Sequence, residues 1–428
     1  MGEVIEQYSV TDQATVEAGA SSDIGALASG PAPDEIPTPF TNGGTMILDW
    51  TDEEEAFRSA LRASIEANVR PGWTLDDRDM PEPTDIDAVK GFCAALGDDG
   101  FLTPHWPKQY GGREASPWEQ LIISEETWRV GEPRGGQYMN TNWIGPALMA
   151  YGTPEQKAQH LPPITKGQVN WCQGFSEPDA GSDLAALRTR AVRDGDSYVV
   201  NGEKIWTSYA HAAEWCFLLV RTDPDSPKRE GITILLVPMD TEGIEVREIP
   251  NPYARHLIHE IHFNDVVVPV SARLGDENMG WGIVRAVLAN ERVGIARHAH
   301  SEYVLDATVK AAGELGIGID DAGLAETIGM AYTWCEAARS LNYVAVGERI
   351  REPHGSRPLA AVSRSITGPM EREVGWACQE ILGDQALASG TEADRQVVTG
   401  TTSMIAAGAY EVQLDLIARL CLDLPRSK

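Results

Sequence analysis

Two polar segments carry side chains able to hold a flat heteroaromatic or anionic ligand. The first is Trp171-Cys-Gln-Gly-Phe-Ser-Glu-Pro-Asp-Ala-Gly-Ser-Asp183, dense in turn formers from Ser176 to Asp183. Such turns expose backbone N–H groups and hydroxyls. The second is Asn201-Gly-Glu-Lys-Ile-Trp-Thr-Ser208, which ends an apolar strand on an aromatic plane and two hydroxyls. That pairing can cover a flat ring and hydrogen-bond its edge. The same residues also fit two ordinary loops on a β-domain.

A third segment offers a base. The stretch from Gly280 to Arg297, read as one helix, places Val284, Val287, Leu288, Ile295 and His298 on a single apolar stripe. Glu291 falls on that stripe, and Arg285 and Arg292 sit on its flank. A carboxylate on an apolar stripe is costly unless it is paired or used. One reading is an ion pair with an arginine at a helix interface. The other is a general base whose pKa is raised by desolvation.

The elements that must position these groups follow from composition and periodicity. The 428 residues suffice for two or three domains around a large core. A net charge of -29, from 35 basic and 64 acidic residues, argues against a nucleic-acid or anionic-membrane surface. Cys93, Cys172, Cys216, Cys335, Cys378 and Cys421 are scattered without a C-x-x-C pair, so buried, reduced thiols are expected rather than zinc or disulfides. No apolar run of about twenty residues predicts a membrane span. The first residues, Met1-Gly-Glu-Val-Ile-Glu, lack the basic and apolar regions of a signal peptide, and a cytoplasmic protein is expected.

Residues 1–45 are acidic and poor in aromatics, and read as a disordered arm. Residues 46–168 turn helical, from a capped start at Thr51-Asp-Glu-Glu-Glu with Phe57, Leu61 and Ile65 recurring behind it. Residues 169–279 carry short β-rich runs, such as Tyr198-Val-Val200 and Ile232-Thr-Ile-Leu-Leu-Val237, between turn signals at Asp194-Gly195 and Glu242-Gly243. Residues 280–428 are helical again.

Taken with their order, the two polar segments resemble the flavin-binding middle domain of the acyl-CoA dehydrogenase family. That family reads T/S-E-P-x-A-G-S-D and then N-G-x-K-x-W/F-x-[ST], and Ser176–Asp183 and Asn201–Ser208 fit both. Trp106-Pro-Lys-Gln-Tyr-Gly-Gly112 and Tyr151-Gly-Thr-Pro-Glu-Gln-Lys157 resemble segments of its N-terminal domain. The resemblance spans residues 50–428 and implies an α+β fold: an N-terminal helical domain, a middle β-barrel domain and a C-terminal helical bundle. It implies FAD as cofactor, an acyl-CoA substrate, and an electron-transfer flavoprotein as acceptor.

By that resemblance Phe175, Ser176, Trp206, Thr207 and Ser208 line the flavin. Glu411 and Gln413 lie near the adenosine part of FAD, and Ser182 near the thioester or its CoA arm. Glu291 takes the α-proton, as in members with an E-R dipeptide like Glu291-Arg292, and Arg292 is expected beside the substrate. The bland alternatives are a core tryptophan at Trp206, a turn serine at Ser182, and an exposed pair at Glu411 and Gln413. Met139, Trp143 and Tyr303 are expected around the acyl group.

The chain also departs from the family. Most members carry the base just before G-T/S-x-E near the C-terminus, where this chain has Ala407, Gly408, Ala409 and Tyr410. The segment matching R-x-Q-F-G-x-P, which reaches a neighbouring subunit's flavin, is Ala311–Gly323 and holds no arginine. This pattern resembles actinobacterial members acting on steroid side chains, some of them heterotetramers of paralogous chains that share fewer flavin sites. Two other readings stay open: a non-catalytic partner subunit, and a flavin monooxygenase or oxidase on the same fold.

Overall fold

The computed structural model describes residues 50–70, 83–251, 258–291, 295–318, 322–351, 357–387, 392–405 and 408–425. The acidic arm over 1–45 lies outside the described residues.

The chain begins as helices whose starts are written in the sequence. Helix α1 (Asp52–Asn68) opens on a reciprocal cap: Thr51 Oγ1 accepts from the Glu54 N–H, and the Glu54 carboxylate accepts from the Thr51 N–H at 2.9 Å. After α2 (Pro83–Asp98), helix α3 (Pro117–Arg129) repeats the device with Ser116 and Glu119, and Pro117 stands where its missing N–H has no partner to lose. A helical turn Gln137–Met139 leads into a π-helical stretch, Asn140–Ile144, and then α4 (Gly145–Tyr151). Helix α5 (Pro154–Thr165) is capped by Thr153 and Gln156. Gln156 also donates to the carbonyls of Ser271 and Arg273, both at 2.9 Å, which ties this domain to the next.

Eight strands follow: β1 (Trp171–Gly174), β2 (Arg190–Asp194), β3 (Ser197–Ser208), β4 (Trp215–Arg221), β5 (Ile232–Pro238), β6 (Ile244–Glu248), β7 (Ile258–Pro269) and β8 (Arg273–Leu274). They form one sheet in the order β6-β7-β3-β2-β4-β5-β8, with β1 added parallel to β4. Strands β4 and β5 are apolar and buried along almost their whole length, because both faces are covered.

The C-terminal part holds α6 (Gly280–Glu291), α7 (Arg297–Glu314), α8 (Ala322–Arg351), α9 (Arg357–Leu382), α10 (Glu392–Ser403) and α11 (Tyr410–Leu420). The single helix expected from Gly280 to Arg297 is two. Helix α6 ends at Glu291, and residues 295–296 are not helical. The Ala296 N–H donates to Ser124 Oγ of α3, at 3.0 Å, instead of to its own helix. Five of the six cysteines are buried; Cys421, just past α11, is exposed, contrary to the expectation for all six. Among the described residues no helix is long and apolar enough to cross a membrane.

One core cluster joins all three parts: Trp106, Trp143 and Leu148 from the first, Trp171, Phe217 and Ile234 from the sheet, Val284 and Val287 from α6. A buried polar knot also ties the first part to the last. Arg58 of α1 donates to Glu125 and Glu126 of α3 at 2.9 and 2.6 Å, Tyr343 of α8 donates to Glu125 at 2.7 Å, and His298 of α7 lies 3.2 Å from Glu125. Burial alone pushes the Glu125 carboxyl up, but His298, Arg58 and Tyr343 together hold it below its ordinary value. A lowered carboxylate pKa contributes stability that is complete above the ordinary value of 4.5 and drains as pH falls through the folded value. Glu125→Gln keeps the shape and loses the charge, so it should cost about 1–3 kcal/mol at neutral pH. It should also flatten the acid limb below that value, read from urea midpoints across pH. Equal acid limbs for wild type and variant would place the acid sensitivity elsewhere.

Candidate active site

The two polar segments lie side by side, and a buried ion pair latches them. Strand β1 ends at Gly174, packed so closely on β4 that a Cβ would stand 2.7 Å from the Leu218 side chain, which would have to shift. The chain then turns through Phe175 and Ser176 to Glu177. One Glu177 oxygen accepts from Lys204 Nζ and the Thr189 N–H, both at 2.8 Å; the other accepts from the Arg188 N–H at 2.6 Å. Lys204 is fully buried on β3 and also donates to the Phe175 carbonyl at 3.1 Å. The Ile205 N–H donates to the Ser176 carbonyl at 2.9 Å. Burial opposes both charges. Against it, Lys204 and the surrounding N–H groups hold the Glu177 carboxyl below its ordinary value, while burial draws Lys204 below its own.

Glu177 and Lys204 were absent from the expected site residues. The signal was there: a lysine in the interior of an apolar strand has to find a carboxylate, and Glu177 is the acid of the facing motif.

Just past Lys204 the backbone breaks step. The pairing of β3 with β7 shifts between Lys204 and Thr207, and Trp206 takes a left-handed φ of 59°. A positive φ is a costly conformation for a bulky side chain. The kink re-aims the strand. Trp206 stands 57% exposed, which excludes a core tryptophan, while Thr207 turns inward and is 2% exposed. Thr207 Oγ1 is buried without a hydrogen-bond partner in the protein, and Ser208 is half-buried. An open groove of about 880 Å³, lined by His211, Trp215, Met239, Val246 and His259, begins just after Ser208.

An orphaned hydroxyl beside an exposed indole fits the edge and face of a heteroaromatic ring. Phe175 and Ser176, both half-buried, stand at the other end of the latch. The Lys204 and Ile205 bonds thus set Phe175 and Ser176 beside the strand whose end carries Trp206, Thr207 and Ser208. Ser182 lies apart, exposed in the turn whose Asp183 pairs with Lys228 at 2.8 Å. Glu411 and Gln413 stand on α11, which packs on α9. Glu411 is exposed; Gln413 is buried, donates to the Gly408 carbonyl at 3.3 Å, and leaves Oε1 unpartnered.

Glu291 closes the last turn of α6; its side chain, all of Arg292, and Ala407 lie outside the described residues. The helix beneath Glu291 is well placed. Val284 and Val287 share the joint core cluster with Tyr138, Trp143 and Phe175, so α6, the π-helical stretch and the first polar motif meet. Of the residues expected around an acyl group, Trp143 lines a cavity at that junction, Met139 is buried in the core cluster, and Tyr303 is 40% exposed on α7. Tyr303 is therefore not a buried pocket wall in this chain.

The chain matches three family models in order: acyl-CoA dehydrogenase N-terminal domain over residues 51–168, middle domain over 172–266, and C-terminal domain over 278–422. The acyl-CoA dehydrogenase FadE26 of Mycobacterium tuberculosis is 34% identical over 402 residues, covering 89% of this chain and all of that one. FadE34 of the same organism is 37% identical over 337 residues, covering 78% of this chain; the chain spans only 46% of FadE34. A solved steroid ACAD, Tcur3481-Tcur3483, superposes with a TM-score of 0.80 at 31% identity, covering 89% of this chain and all of the other. The ChsE4-ChsE5 complex from Mycobacterium tuberculosis gives 0.79 and 31%, with the same coverage.

Proposed function

Because the chain belongs to the acyl-CoA dehydrogenase family, we propose that it catalyses α,β-dehydrogenation of a bulky acyl-CoA thioester, with Glu291 as the α-proton base. The observation that carries this reading is the latch. It holds an exposed Trp206 and an orphaned Thr207 hydroxyl beside Ser176, a set that fits FAD. When bound, FAD supplies the two-electron acceptor for the hydride leaving Cβ. The chain's own residues do the rest. Trp206 and Phe175 cover the ring, and Thr207, Ser176 and Ser208 hydrogen-bond its edge. Glu291, at the end of α6, removes the proton from Cα. Glu411 and Gln413 sit toward the adenosine end, and Ser182 and Arg292 toward the thioester and its CoA arm.

A steroid-derived acyl group and an electron-transfer flavoprotein as acceptor accompany this reading. The first is supported by the likeness to a protein described as a steroid ACAD. Association with a paralogous chain is supported by the arginine-free segment Ala311–Gly323 and by likeness to a two-chain complex.

The test is the FAD content of the purified chain, followed by anaerobic addition of acyl-CoA. One FAD per chain that is bleached by an acyl-CoA thioester supports a complete site. FAD that appears only on co-expression with a paralogue supports a shared site. No flavin in either case, or flavin that no acyl-CoA reduces, overturns the reading.

A further inference from the structure

A small cavity walled in part by Ile295, just after α6, mixes polar with apolar side chains. It encloses about 30 Å³, the space of about one water molecule. Its lining includes His105, Gln120, Asn142, Trp143, Ile295 and Arg349. These come from the N-terminal helices and their loops, the π-helical stretch, the segment after α6, and α8. π-Helical turns are rare and recur at functional sites. Here the turn presents Asn142 and Trp143 to the cavity.

Two side chains of this lining each carry a buried polar atom with no hydrogen-bond partner in the protein. One is Trp143 Nε1–H, on a side chain only 2% exposed. It can only donate. The other is His105 Nδ1. Burial lowers the His105 pKa to about 4, so the ring is neutral at physiological pH. Its Nε2 lies 3.2 Å from the Thr141 carbonyl, an acceptor, so Nε2 carries the hydrogen and Nδ1 is left to accept. The other polar groups are largely engaged: Asn142 accepts from Gln120 at 3.0 Å and donates to the Tyr138 carbonyl at 2.9 Å.

The cavity also belongs to the site. Ile295 on its wall is four residues beyond Glu291. Tyr138 and Trp143 on its wall share the core cluster with Val284 and Val287 of α6 and with Phe175. The cavity therefore adjoins the core shared by the candidate base helix and the first polar motif.

We propose that this pocket receives an oxygen carried by the acyl group, and that the chain selects oxygen-bearing over purely hydrocarbon acyl-CoA thioesters. The proposal rests on the acyl-CoA dehydrogenase reading and names its substrate class. A hydroxyl satisfies both orphan atoms, accepting from Trp143 Nε1–H and donating to His105 Nδ1. An oxo group satisfies Trp143 alone. An alkyl end satisfies neither and leaves two buried polar groups unpaired, the condition under which a site discriminates most strongly.

The experiment compares three thioesters on the holoenzyme: cyclohexylpropanoyl-CoA and its ring-oxo and ring-hydroxy counterparts. Two readouts are taken, the anaerobic rate of flavin bleaching and the affinity by titration calorimetry. The expected order is hydroxy, then oxo, then alkyl, with the oxygenated pair favoured about 100-fold or more over alkyl. Trp143→Phe should abolish the preference of oxo over alkyl and leave hydroxy favoured through His105 alone. His105→Phe should remove the preference of hydroxy over oxo and leave that of oxo over alkyl. Ratios within one variant are unaffected by a partial loss of folded protein. Equal handling of all three by wild type, or unchanged ratios in both variants, overturns the proposal and marks the cavity as a water-sized void. The expected affinity order without any bleaching upholds the pocket and overturns the dehydrogenase reading instead.

Discussion

Glu291→Gln should retain the flavin content and melting temperature of the parent and lose about 10²–10⁴-fold in the rate of flavin bleaching by acyl-CoA. Glutamine matches glutamate in shape and hydrogen-bonding reach but cannot take a proton. The loss should fall on the reductive step measured by rapid mixing, with little change in thioester affinity, because the group acts only as the α C–H bond breaks. Its position makes the test sharp. Glu291 ends α6 one turn beyond Val287, which is buried in the cluster shared with Trp143 and Phe175. By the family resemblance the other base position falls at Ala407, which cannot take a proton. A rate within about tenfold of the parent, with flavin bound, would remove Glu291 from the chemistry and place the base on another residue.

The parts of this molecule that were legible in the sequence are those specified locally. Thr51 and Glu54 announce α1, and the cap is there with both reciprocal bonds. The β-rich runs at Tyr198 and Ile232 lie in β3 and β5. The three-part order of helices, sheet and helices follows from the same periodicities.

What was not legible depends on contacts between distant segments. The end of α6 has a local signal in Gly294, but the bond from the Ala296 N–H to Ser124 Oγ of α3 is visible only in the folded chain. Strand alternation alone puts Lys204 and Trp206 on one face. The register shift between Lys204 and Thr207 undoes that, so Lys204 is buried, Trp206 exposed and Thr207 buried. The polar cavity is equally hidden, because His105, Trp143, Ile295 and Arg349 meet only in the folded chain.

The latch gives the second large effect. Lys204→Met replaces a fully buried ammonium by an apolar side chain of similar length. It leaves the Glu177 carboxylate, 7% exposed, without its counter-charge. Breaking one side of a buried pair costs about 3–5 kcal/mol, and this variant should lose that much in urea unfolding at neutral pH. The deficit should shrink as pH falls below 4.5, because the wild-type carboxyl is held low by Lys204 and its advantage drains there. Glu177→Gln should also destabilise, yet the double variant should cost less than the two singles added, by up to about 3 kcal/mol of coupling. The functional consequence follows from the same geometry. Lys204 donates to both Glu177 and the Phe175 carbonyl, two residues before the Trp206 kink on its own strand. Freeing that joint should let Trp206 and Thr207 drift from Ser176, so the folded fraction of Lys204→Met should hold FAD more weakly than the parent. Additive single costs, or parental FAD retention, would mean that the pair is one contact among many and that the kink at Trp206 is held by the sheet alone.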